Sequence, residues 1–439
     1  MNKTVKRRIV ELGKDVLIVL LTCSTVWLAT RAELFGVMGG LLGEEEAPTG
    51  ETPVQTETRA EAARPLRMAV NLLQGTETVR FGVQYDQADC DLLFQQVASL
   101  LVEALSSAGE AEQISSRQWK NVLVSAPGVY FDFQGAIPLP VLIGWLSGES
   151  TRLQGDVRRL ALTAGEDSVA ICYQNEADGN FYRCFSDVVD PSHLGEALSG
   201  LAGNGAVFAF ESAHYDMLDP YTLLSGDVPA PSGYGAENPA SGGRSDLEAI
   251  ADELEFLINA NGVYYAGEWV ARSGSDTLRL SDEGEVVYLA GEDETDHFVV
   301  SDDGGLFASV ELCRELAVTA MAGRCGEARI YLESVTPAET GWDISFAYSL
   351  NGIPVQLNEG SAAVFRVREN RVEEFTVRLR RYSSLGTQTV VLPERQAAAA
   401  LEAMGLTGEE LTLMYVDNGG EVMTAGWTAS DWTARARKR

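Results

Sequence analysis

A short apolar segment near the N-terminus constrains this chain more than any other feature, because it decides on which side of a membrane the rest folds. Five basic residues within residues 1–14 precede an uncharged, mostly apolar run at residues 16–30. A segment with this flank inserts with its positive end in the cytoplasm. The run is shorter than the roughly 20 residues that span a bilayer, but it extends back to Leu12 if the Lys14 ammonium reaches the headgroups. The sequence therefore predicts a single-pass cell-membrane protein with a cytoplasmic N-terminus and most of its chain extracytoplasmic.

Two other fates of this segment stay open. Weak small-residue sites at Thr30-Arg31-Ala32 and Val37-Met38-Gly39 permit cleavage as a signal peptide. Cys23 permits a lipoprotein signal, although the Leu-Leu-Thr before it is a poor match. We favour the uncleaved anchor because none of the small-residue sites is a clean Ala-x-Ala. All three versions export the rest of the chain.

We assign residues 1–14 to a cytoplasmic basic tail and residues 15–35 to a transmembrane signal anchor. Small side chains at Thr22, Ser24, Thr25 and Ala29 permit close approach of a partner helix, although a plain anchor tolerates them equally. The predicted membrane-spanning side chains are Val16, Leu17, Ile18, Val19, Leu20, Leu21, Thr22, Ser24, Thr25, Val26, Trp27, Leu28 and Ala29.

The chain is strongly acidic outside this tail. The formal net charge is −31, and residues 1–14 carry +4 (five Lys or Arg against Glu11), so the remainder carries −35. A surface of this sign argues against nucleic acid as a partner. No second apolar run approaches spanning length, so one span is expected.

Six cysteines are too few to form a disulfide scaffold in a chain of 439 residues. Cys172 and Cys184 flank a turn that contains Asp178-Gly179. They could therefore face each other across a hairpin, and a disulfide there is left open. Cys313 and Cys325 form no zinc-binding pattern with neighbouring residues.

Breaks in the apolar pattern divide the exported region. Residues 36–64 are rich in Gly, Glu, Thr and Pro and predict a flexible acidic stalk. Residues 229–245 hold several Pro and Gly and predict a loop or linker. The predicted folded parts are an N-terminal α+β domain at 65–228, a middle α+β unit at 246–305 and a C-terminal α+β domain at 306–439.

Each folded part combines amphipathic helices with alternating strands. Apolar residues recur at helical spacing over residues 92–105. Ser115 and Ser245 each precede a Gln or Glu three positions on, which predicts two helix-starting capping boxes. Residues 371–382 predict one strand. We expect an α+β fold of small units, each with a helix packed on antiparallel strands.

The C-terminal part resembles a known family. The stretches ISFAYSLNGIPV (344–355), AAVFRVRENRVEEFTVRLRRY (362–382) and LTLMYVDNGGEVMTAGW (411–427), with a Leu-Pro-started helix before the last, are similar to the extracytoplasmic regions of YycH and YycI. The basic tail, single span and mixed first half resemble YycH more than the shorter YycI. The resemblance covers most of the chain.

Members of this family are accessory regulators of the WalK sensor histidine kinase in the WalK–WalR (YycG–YycF) two-component system. The resemblance implies a non-enzymatic protein that adjusts kinase activity through contacts in the membrane and outside the cell. It also implies a related YycI-like membrane protein as a partner, and no cofactor. Whether the kinase is activated or inhibited does not follow from it.

The chemistry-bearing residues agree with a protein that is not an enzyme. The three histidines, His193, His214 and His297, lie in no zinc-protease helix motif, and no Gly-x-Ser-x-Gly elbow accompanies them. Among 64 acidic residues, any glycosidase-like pair arises by chance. We predict no catalytic, cofactor-binding or metal-binding residue. An exported cell-wall hydrolase and a ligand-binding surface protein are the alternatives.

Two acidic Gly-Gly sequences deserve separate treatment because they resemble loops that bind cations. Asp302-Asp303-Gly304-Gly305 and Asp417-Asn418-Gly419-Gly420 both lack the EF-hand spacing and its terminal glutamate. Asp, Asn and Gly tolerate left-handed backbone, so both sequences are better explained as turns.

One cluster of arginines interrupts the acidic background. Along two predicted strands these arginines alternate with apolar residues. Because successive strand residues point to opposite faces, the arginines should share the face away from the core. A solvated face paired with local glutamates explains this pattern, and so does a docking surface for an acidic partner domain or an anionic cell-wall polymer. The cluster comprises Arg366, Arg368, Arg371, Arg378, Arg380 and Arg381. The candidate partner-docking residues among them are Arg366, Arg368, Arg378 and Arg380.

An uncleaved anchor predicts that the mature chain keeps its first residues. N-terminal sequencing of the protein from purified membranes should therefore find a chain that begins at or near Met1. A mature chain that starts after Arg31 would contradict the anchor.

Overall fold

Alternating apolar and polar residues build most of this protein into two large sheets. The computed structural model describes residues 58–149, 151–226, 228–240, 243–258, 260–292, 297–301 and 305–430. All of these belong to one compact unit, residues 54–439. The predicted tail, the predicted span and the predicted stalk as far as residue 57 lie outside the described residues. Within the described part of the chain, no helix has both the length and the apolarity to cross a membrane.

Helices form where apolar residues recur every three or four positions. The helix predicted over residues 92–105 is confirmed as part of α2, whose Leu93, Val97 and Leu101 are buried. A short helix, α1, occupies the end of the predicted stalk and buries Ala62. The helices are α1 (Arg59–Ala62), α2 (Gln87–Ser106), α3 (Ser116–Val124), α4 (Leu139–Ser147), α5 (Pro191–Ala197), α6 (Arg244–Glu253), α7 (Leu306–Met321) and α8 (Glu394–Ala403).

One of the two predicted capping boxes is confirmed. The Gln118 backbone N–H donates to Ser115 Oγ at 3.3 Å, and the Ser115 N–H donates to Gln118 Oε1 at 2.9 Å. The second, at Ser245, is wrong because α6 already begins at Arg244. Glu248 instead accepts a bond from the Arg244 guanidinium at 2.7 Å, one helical turn away.

The first sheet is antiparallel throughout and has helices on both faces. Its alternate residues Met68 and Phe131 pack with α2, while Ala69 and Tyr130 pack on the other face with Trp119 of α3. The strand order is β2-β1-β4-β5-β6-β7-β3. The strands are β1 (Arg67–Gln74), β2 (Glu77–Gln84), β3 (Glu112–Ile114), β4 (Gly128–Pro138), β5 (Asp156–Ala164), β6 (Val169–Asn175) and β7 (Phe181–Ser186).

The hairpin predicted between Cys172 and Cys184 forms, but the disulfide left open between them does not. Its register pairs Cys184 with Ile171 and Cys172 with Arg183. Successive residues of a strand point to opposite faces, so this offset of one residue places the two thiols in different cores. Both cysteines are free and buried.

The second sheet joins parts that the sequence predicted as separate units. Strand β14 from the predicted middle unit pairs with β19 from the predicted C-terminal domain, with Tyr288 opposite Phe375. The order is β11-β12-β13-β14-β19-β18-β16-β17-β21-β23, with β15 also paired to β16. The pair β17–β21 is parallel. The strands are β11 (Ala260–Tyr265), β12 (Glu268–Ser273), β13 (Asp276–Ser281), β14 (Glu285–Leu289), β15 (Arg329–Ala338), β16 (Gly341–Leu350), β17 (Ile353–Leu357), β18 (Ala363–Arg368), β19 (Arg371–Arg378), β21 (Glu410–Asp417) and β23 (Ala425–Ser430).

Two smaller sheets account for the remaining strands. The segment 229–245, predicted as a loop or linker, contains β10 (Ser232–Glu237) between β20 (Arg381–Gln388) and β22 (Val422–Met423). The single strand predicted over residues 371–382 is divided, because β19 ends at Arg378 and β20 belongs to this other sheet. Strands β8 (Val207–Phe208) and β9 (Leu223–Leu224) form a two-stranded pair.

The two large sheets approach each other closely where β4 passes β15. A Cβ added at Gly135 would lie 1.8 Å from the carbonyl oxygen of Leu332, which is far inside van der Waals contact. A residue with a side chain at this position would therefore push the two strands apart.

Gly135→Ala should lower the free energy of unfolding by about 2–3 kcal/mol, because overpacking against backbone cannot be relieved by a rotamer change. Urea titration of the purified chain measures this. Gly426→Ala is the matched control, since nothing lies within 4 Å of its added Cβ, and it should change stability by less than about 0.5 kcal/mol. Equal effects of the two substitutions would contradict the close approach of β4 and β15.

Candidate functional site

The four predicted docking arginines are all paired with carboxylates of this chain. Their side chains range from largely exposed, at Arg366, to mostly buried, at Arg380. Such pairing agrees with the solvated-face interpretation, and partner docking by these residues stays a prediction. The pairs are Arg366–Glu374, Arg368–Asp343 (2.6 Å), Arg378–Glu285 (2.9 Å) and Arg380–Asp417 (2.7 Å).

The structure does not gather these arginines into one site. Arg366 borders a shallow depression on the outer face of the second sheet, together with Ser345 and Thr376. Arg380 lies beyond the end of β19 and binds Asp417 on β21 through two nitrogen–oxygen contacts. Asp417 also accepts bonds from the Tyr382 hydroxyl and the Gly419 N–H. The bond from the Gly419 N–H is local and Gly419 has a φ of 77°, as the turn interpretation of Asp417-Asn418-Gly419-Gly420 predicts.

A more constrained charge cluster lies in the interior, between the two large sheets. We call it the ionic junction and define it as Arg67, Asp132, Arg158, Arg159 and Glu410. Each of these residues is at most 4% exposed. Buried charges are rare unless they are paired, so this cluster is the strongest candidate for a residue set on which function depends.

Strand register explains how the first sheet supplies four members of the ionic junction. Arg67 on β1 is opposite Asp132 on β4, and Asp132 is opposite Arg159 on β5. The β5–β6 register shifts between Val157 and Leu160, and such a bulge re-aims side chains. The irregularity lets the consecutive residues Arg158 and Arg159 reach the same carboxylate, that of Glu410.

Glu410, the first residue of β21, completes the ionic junction from the second sheet. Its carboxylate accepts from Arg67 Nη1 at 2.5 Å, from Arg158 Nη2 at 2.7 Å and from Arg159 Nη2 at 3.2 Å. Arg158 also binds Asp132 through two bonds, of 3.0 and 3.1 Å. The carboxylate of Glu410 thus links three guanidinium groups of the other sheet.

A further carboxylate lies beside the ionic junction. Three arginines face Asp132 and Glu410, and Arg159 Nη1 also contacts the partly exposed Asp219 at 3.3 Å. Burial would raise the pKa of the Glu410 carboxyl, but Arg158 and Arg67 outweigh it and hold that pKa well below its usual range. The pKa of Asp132 is lowered in the same way, against burial, by Arg158 and Arg67. Both carboxylates are therefore ionised in the folded chain at neutral pH.

Aromatic rings complete the surroundings of two of the guanidinium groups. Arg67 lies 5.7 Å from the ring centre of Tyr85, and Arg159 lies 5.7 Å from that of Tyr221. Arg67 Nε and Nη2 have no hydrogen-bond partner among the described residues, so the ring offers part of the compensation that these nitrogens need.

Two further ion clusters fix the start of the described chain. Arg59 Nε binds Glu311 of α7 at 2.6 Å, and the same carboxylate accepts from Trp145 Nε1 of α4 at 2.8 Å. Arg64 Nη1 binds Asp91 of α2 at 2.8 Å. We call Arg59, Arg64, Asp91 and Glu311 the entry clamp. It holds the last residues of the predicted stalk against helices from both halves of the fold.

Glu311 is the electrostatic centre of the entry clamp. Burial would raise the pKa of its carboxyl, but Arg314 and Arg59 lower that pKa to about 2. Arg314 Nη2 lies 2.8 Å from this carboxylate, on the same helix. The carboxylate is therefore charged at neutral pH and keeps its attraction for Arg59.

One Ser–His–Asp arrangement occurs that the sequence did not reveal, because its residues share no recognisable motif. Ser273 Oγ lies 3.5 Å from His297 Nε2, and His297 Nδ1 lies 3.0 Å from Asp276 Oδ2. Tyr288 Oη and the Gly291 N–H also donate to Asp276. Ser273 is only 4% exposed, so a substrate does not reach its hydroxyl in this conformation. The bonds instead hold His297 against β12 and β13.

Among the described residues, no group of three or more His, Cys, Asp or Glu side chains is arranged to hold a metal ion. Asp302, Asp303 and Gly304 of the other acidic Gly-Gly sequence lie outside the described residues.

Glu410→Gln should lower the free energy of unfolding by about 3–5 kcal/mol at neutral pH, because it leaves buried guanidinium groups without their shared carboxylate. Urea titration measures the change. The matched control is Glu112→Gln, which breaks the exposed Arg183–Glu112 pair and should cost less than about 1 kcal/mol. A Glu410→Gln effect no larger than that of the control would contradict the ionic junction.

Lowering the pH should reduce the stabilisation that the ionic junction gives to the folded chain. The folded pKa values of Asp132 and Glu410 are lowered, so the unfolded chain binds more protons as the pH falls through the ordinary carboxyl range. The contribution is therefore complete above about pH 5 and declines below about pH 4.3. The stability difference between the wild type and Glu410→Gln, followed by urea titration across pH, should stay constant from about pH 5 to 7 and narrow below that range. If the stability difference between the wild type and Glu410→Gln instead increased below about pH 5, the proposed lowering of the two carboxyl pKa values would be contradicted.

The comparisons with known proteins bear on the fold. No protein-family profile matches the sequence, and no curated protein matches it. Among solved structures, YycH from Bacillus subtilis matches with a TM-score of 0.50 and 10% sequence identity, covering 84% of this chain and 94% of that chain. An uncharacterized protein from Eubacterium rectale matches with a TM-score of 0.27 and 12% identity, covering 46% of this chain and 76% of that chain. The resemblance to YycH found in the sequence is therefore confirmed in the structure, and over most of its length this chain has a YycH-like fold.

Proposed function

We propose that this chain is a membrane-anchored, non-enzymatic regulator of a cell-wall-linked sensor histidine kinase of the WalK type. It acts from outside the membrane and through its single span, with a related YycI-like membrane protein as a second partner. The observation that carries the proposal is the YycH-like fold over 84% of the chain. The basic tail and apolar segment at residues 1–30 support the membrane anchor and the cytoplasmic N-terminus.

The entry clamp supports a role that depends on the anchor. The predicted stalk separates the span from the folded region, so a displacement of the span reaches the folded region only through the last residues of that stalk. Two of these residues are fixed in place, because Ala63 is fully buried and Arg64 is bound to Asp91. Asp91 also accepts from Arg329 of β15 at 2.8 Å, so this attachment reaches the second sheet.

The proposal predicts that the full-length chain co-purifies with the kinase from membranes in which both are expressed. It also predicts that Glu311→Gln, which weakens the entry clamp, changes the output of a kinase-dependent promoter by about fivefold or more relative to the wild type. Glu112→Gln is the control, because it removes a carboxylate of an exposed pair far from the clamp in sequence, and it should leave output unchanged. Equal protein levels must be verified by immunoblot.

Loss of co-purification with every candidate kinase would contradict the regulator. Unchanged promoter output in Glu311→Gln, with the kinase still bound, would instead contradict the clamp as the transmitting joint.

A cell-wall hydrolase is a second candidate only because of the Ser273–His297–Asp276 arrangement. A fluorophosphonate probe, which labels activated serines, tests it directly on the purified chain. The regulator reading predicts no labelling. If the probe labels the wild-type chain and Ser273→Ala abolishes that labelling, the chain is a hydrolase rather than a non-enzymatic regulator.

A further inference from the structure

The second sheet ends in an exposed strand that its sequence leaves unprotected. Strand β11 is terminal in the sheet order and pairs with β12 on one side. Native proteins usually shield such an edge with lysines, prolines or a covering element, because its unpaired N–H and C=O groups recruit other strands. Here the edge presents Val263, Tyr264 and Tyr265, which are 63%, 49% and 76% exposed.

The turn geometry shows which backbone groups of β11 face outward. Ala266 and Gly267 form a two-residue turn with φ values of 54° and 90°, as in a type I′ hairpin. Tyr265 and Glu268 close that turn, so they form the hydrogen-bonded pair, and the next pair, Tyr264 and Trp269, is not hydrogen-bonded. The N–H and C=O of Tyr264 therefore point away from β12, toward an added strand.

The charge around β11 determines what kind of strand can pair with it. Residues 260–292 carry six acidic residues against two arginines. Glu268 lies opposite Tyr265, and Asp282 accepts a bond from the Tyr264 hydroxyl at 2.6 Å. A second copy of this acidic edge would be repelled, whereas a basic segment would be attracted.

We propose that β11 is a docking edge for an extended, lysine- or arginine-bearing segment of a partner protein, which adds to the second sheet as a further strand. Main-chain bonds at Tyr264 supply affinity, and Glu268 and Asp282 supply selectivity for basic side chains. This inference goes beyond the proposed function, because it fixes the chemistry of the docking segment whatever the partner does.

Fluorescence anisotropy with a labelled probe tests the proposal on the purified full chain. The probe is a short peptide that alternates Lys with Val and Thr, and the matched probe carries Glu in place of Lys. Tyr264→Pro removes the outward N–H without removing a bond to β12, so it should weaken binding of the Lys peptide by about tenfold or more. Tyr265→Phe, at the neighbouring residue, keeps every backbone N–H of β11 and should bind as the wild type does. Near-UV circular dichroism verifies that both variants fold.

Selective binding of the Lys peptide that Tyr264→Pro weakens and Tyr265→Phe preserves supports the docking edge. Equal affinity for the Lys and Glu peptides would overturn the charge selection. No binding of the Lys peptide, or equal binding by Tyr264→Pro, would overturn the edge itself. Self-association of the wild-type chain that Tyr264→Pro abolishes would assign the edge to a second copy and so overturn the proposed occupant.

Discussion

The fold depends on the ionic junction, because neither large sheet can bury its share of these charges alone. The first sheet contributes Arg67, Arg158 and Arg159 but only Asp132 to balance them. Glu410 supplies part of the missing negative charge from the second sheet, more than 250 residues away along the chain from Arg158. An unpaired buried charge costs several kcal/mol, so separation of the sheets at this point is strongly opposed. The junction thus ties strands from distant parts of the sequence into one body.

A buried ionic cluster is a poor source of net stability, since apolar residues of similar volume often stabilise a core as well or better. The ionic junction is better understood as fixing the relative position of the two sheets than as adding net stability. Three guanidinium groups and a single shared carboxylate admit few arrangements, whereas apolar side chains tolerate sliding. The entry clamp applies the same chemistry where the predicted stalk ends, with Glu311 binding Arg59 from α1 and Trp145 from α4. Together the two clusters tie the two large sheets to each other and α1 to the helices that it contacts.

Local features of this fold could be predicted from the sequence, because they depend on near neighbours. Apolar spacing located α2, the Ser115 capping box located the start of α3, and alternation along residues 363–368 located β18. Features that depend on register or on distant pairing could not be predicted. A register offset of one residue separated Cys172 from Cys184, and the pairing of β14 with β19 merged two expected units.

In the candidate site, too, local features could be predicted from the sequence and distant pairings could not. The charge pattern predicted the exposed arginines of β18 and β19. It did not predict all of the carboxylates that pair with them, because Arg378 pairs with Glu285 only once β14 lies beside β19 in the sheet. The ionic junction carries no local signature, since Arg158-Arg159 and Glu410 are ordinary surface-type residues in sequence. The only available hint was a pair of adjacent arginines within an otherwise apolar strand, at residues 156–164.

The central claim is that this chain regulates a kinase through its membrane span as well as its folded region. Photo-crosslinking tests it most directly, with a photoreactive residue placed in turn at each position from 16 to 29 of the full-length chain in native membranes. The account predicts cross-links to a sensor histidine kinase that recur every three to four positions, as one helix face requires, and that include Thr22, Thr25 or Ala29. A span that cross-links to no kinase at any position, in a chain shown to be membrane-inserted, would contradict the account.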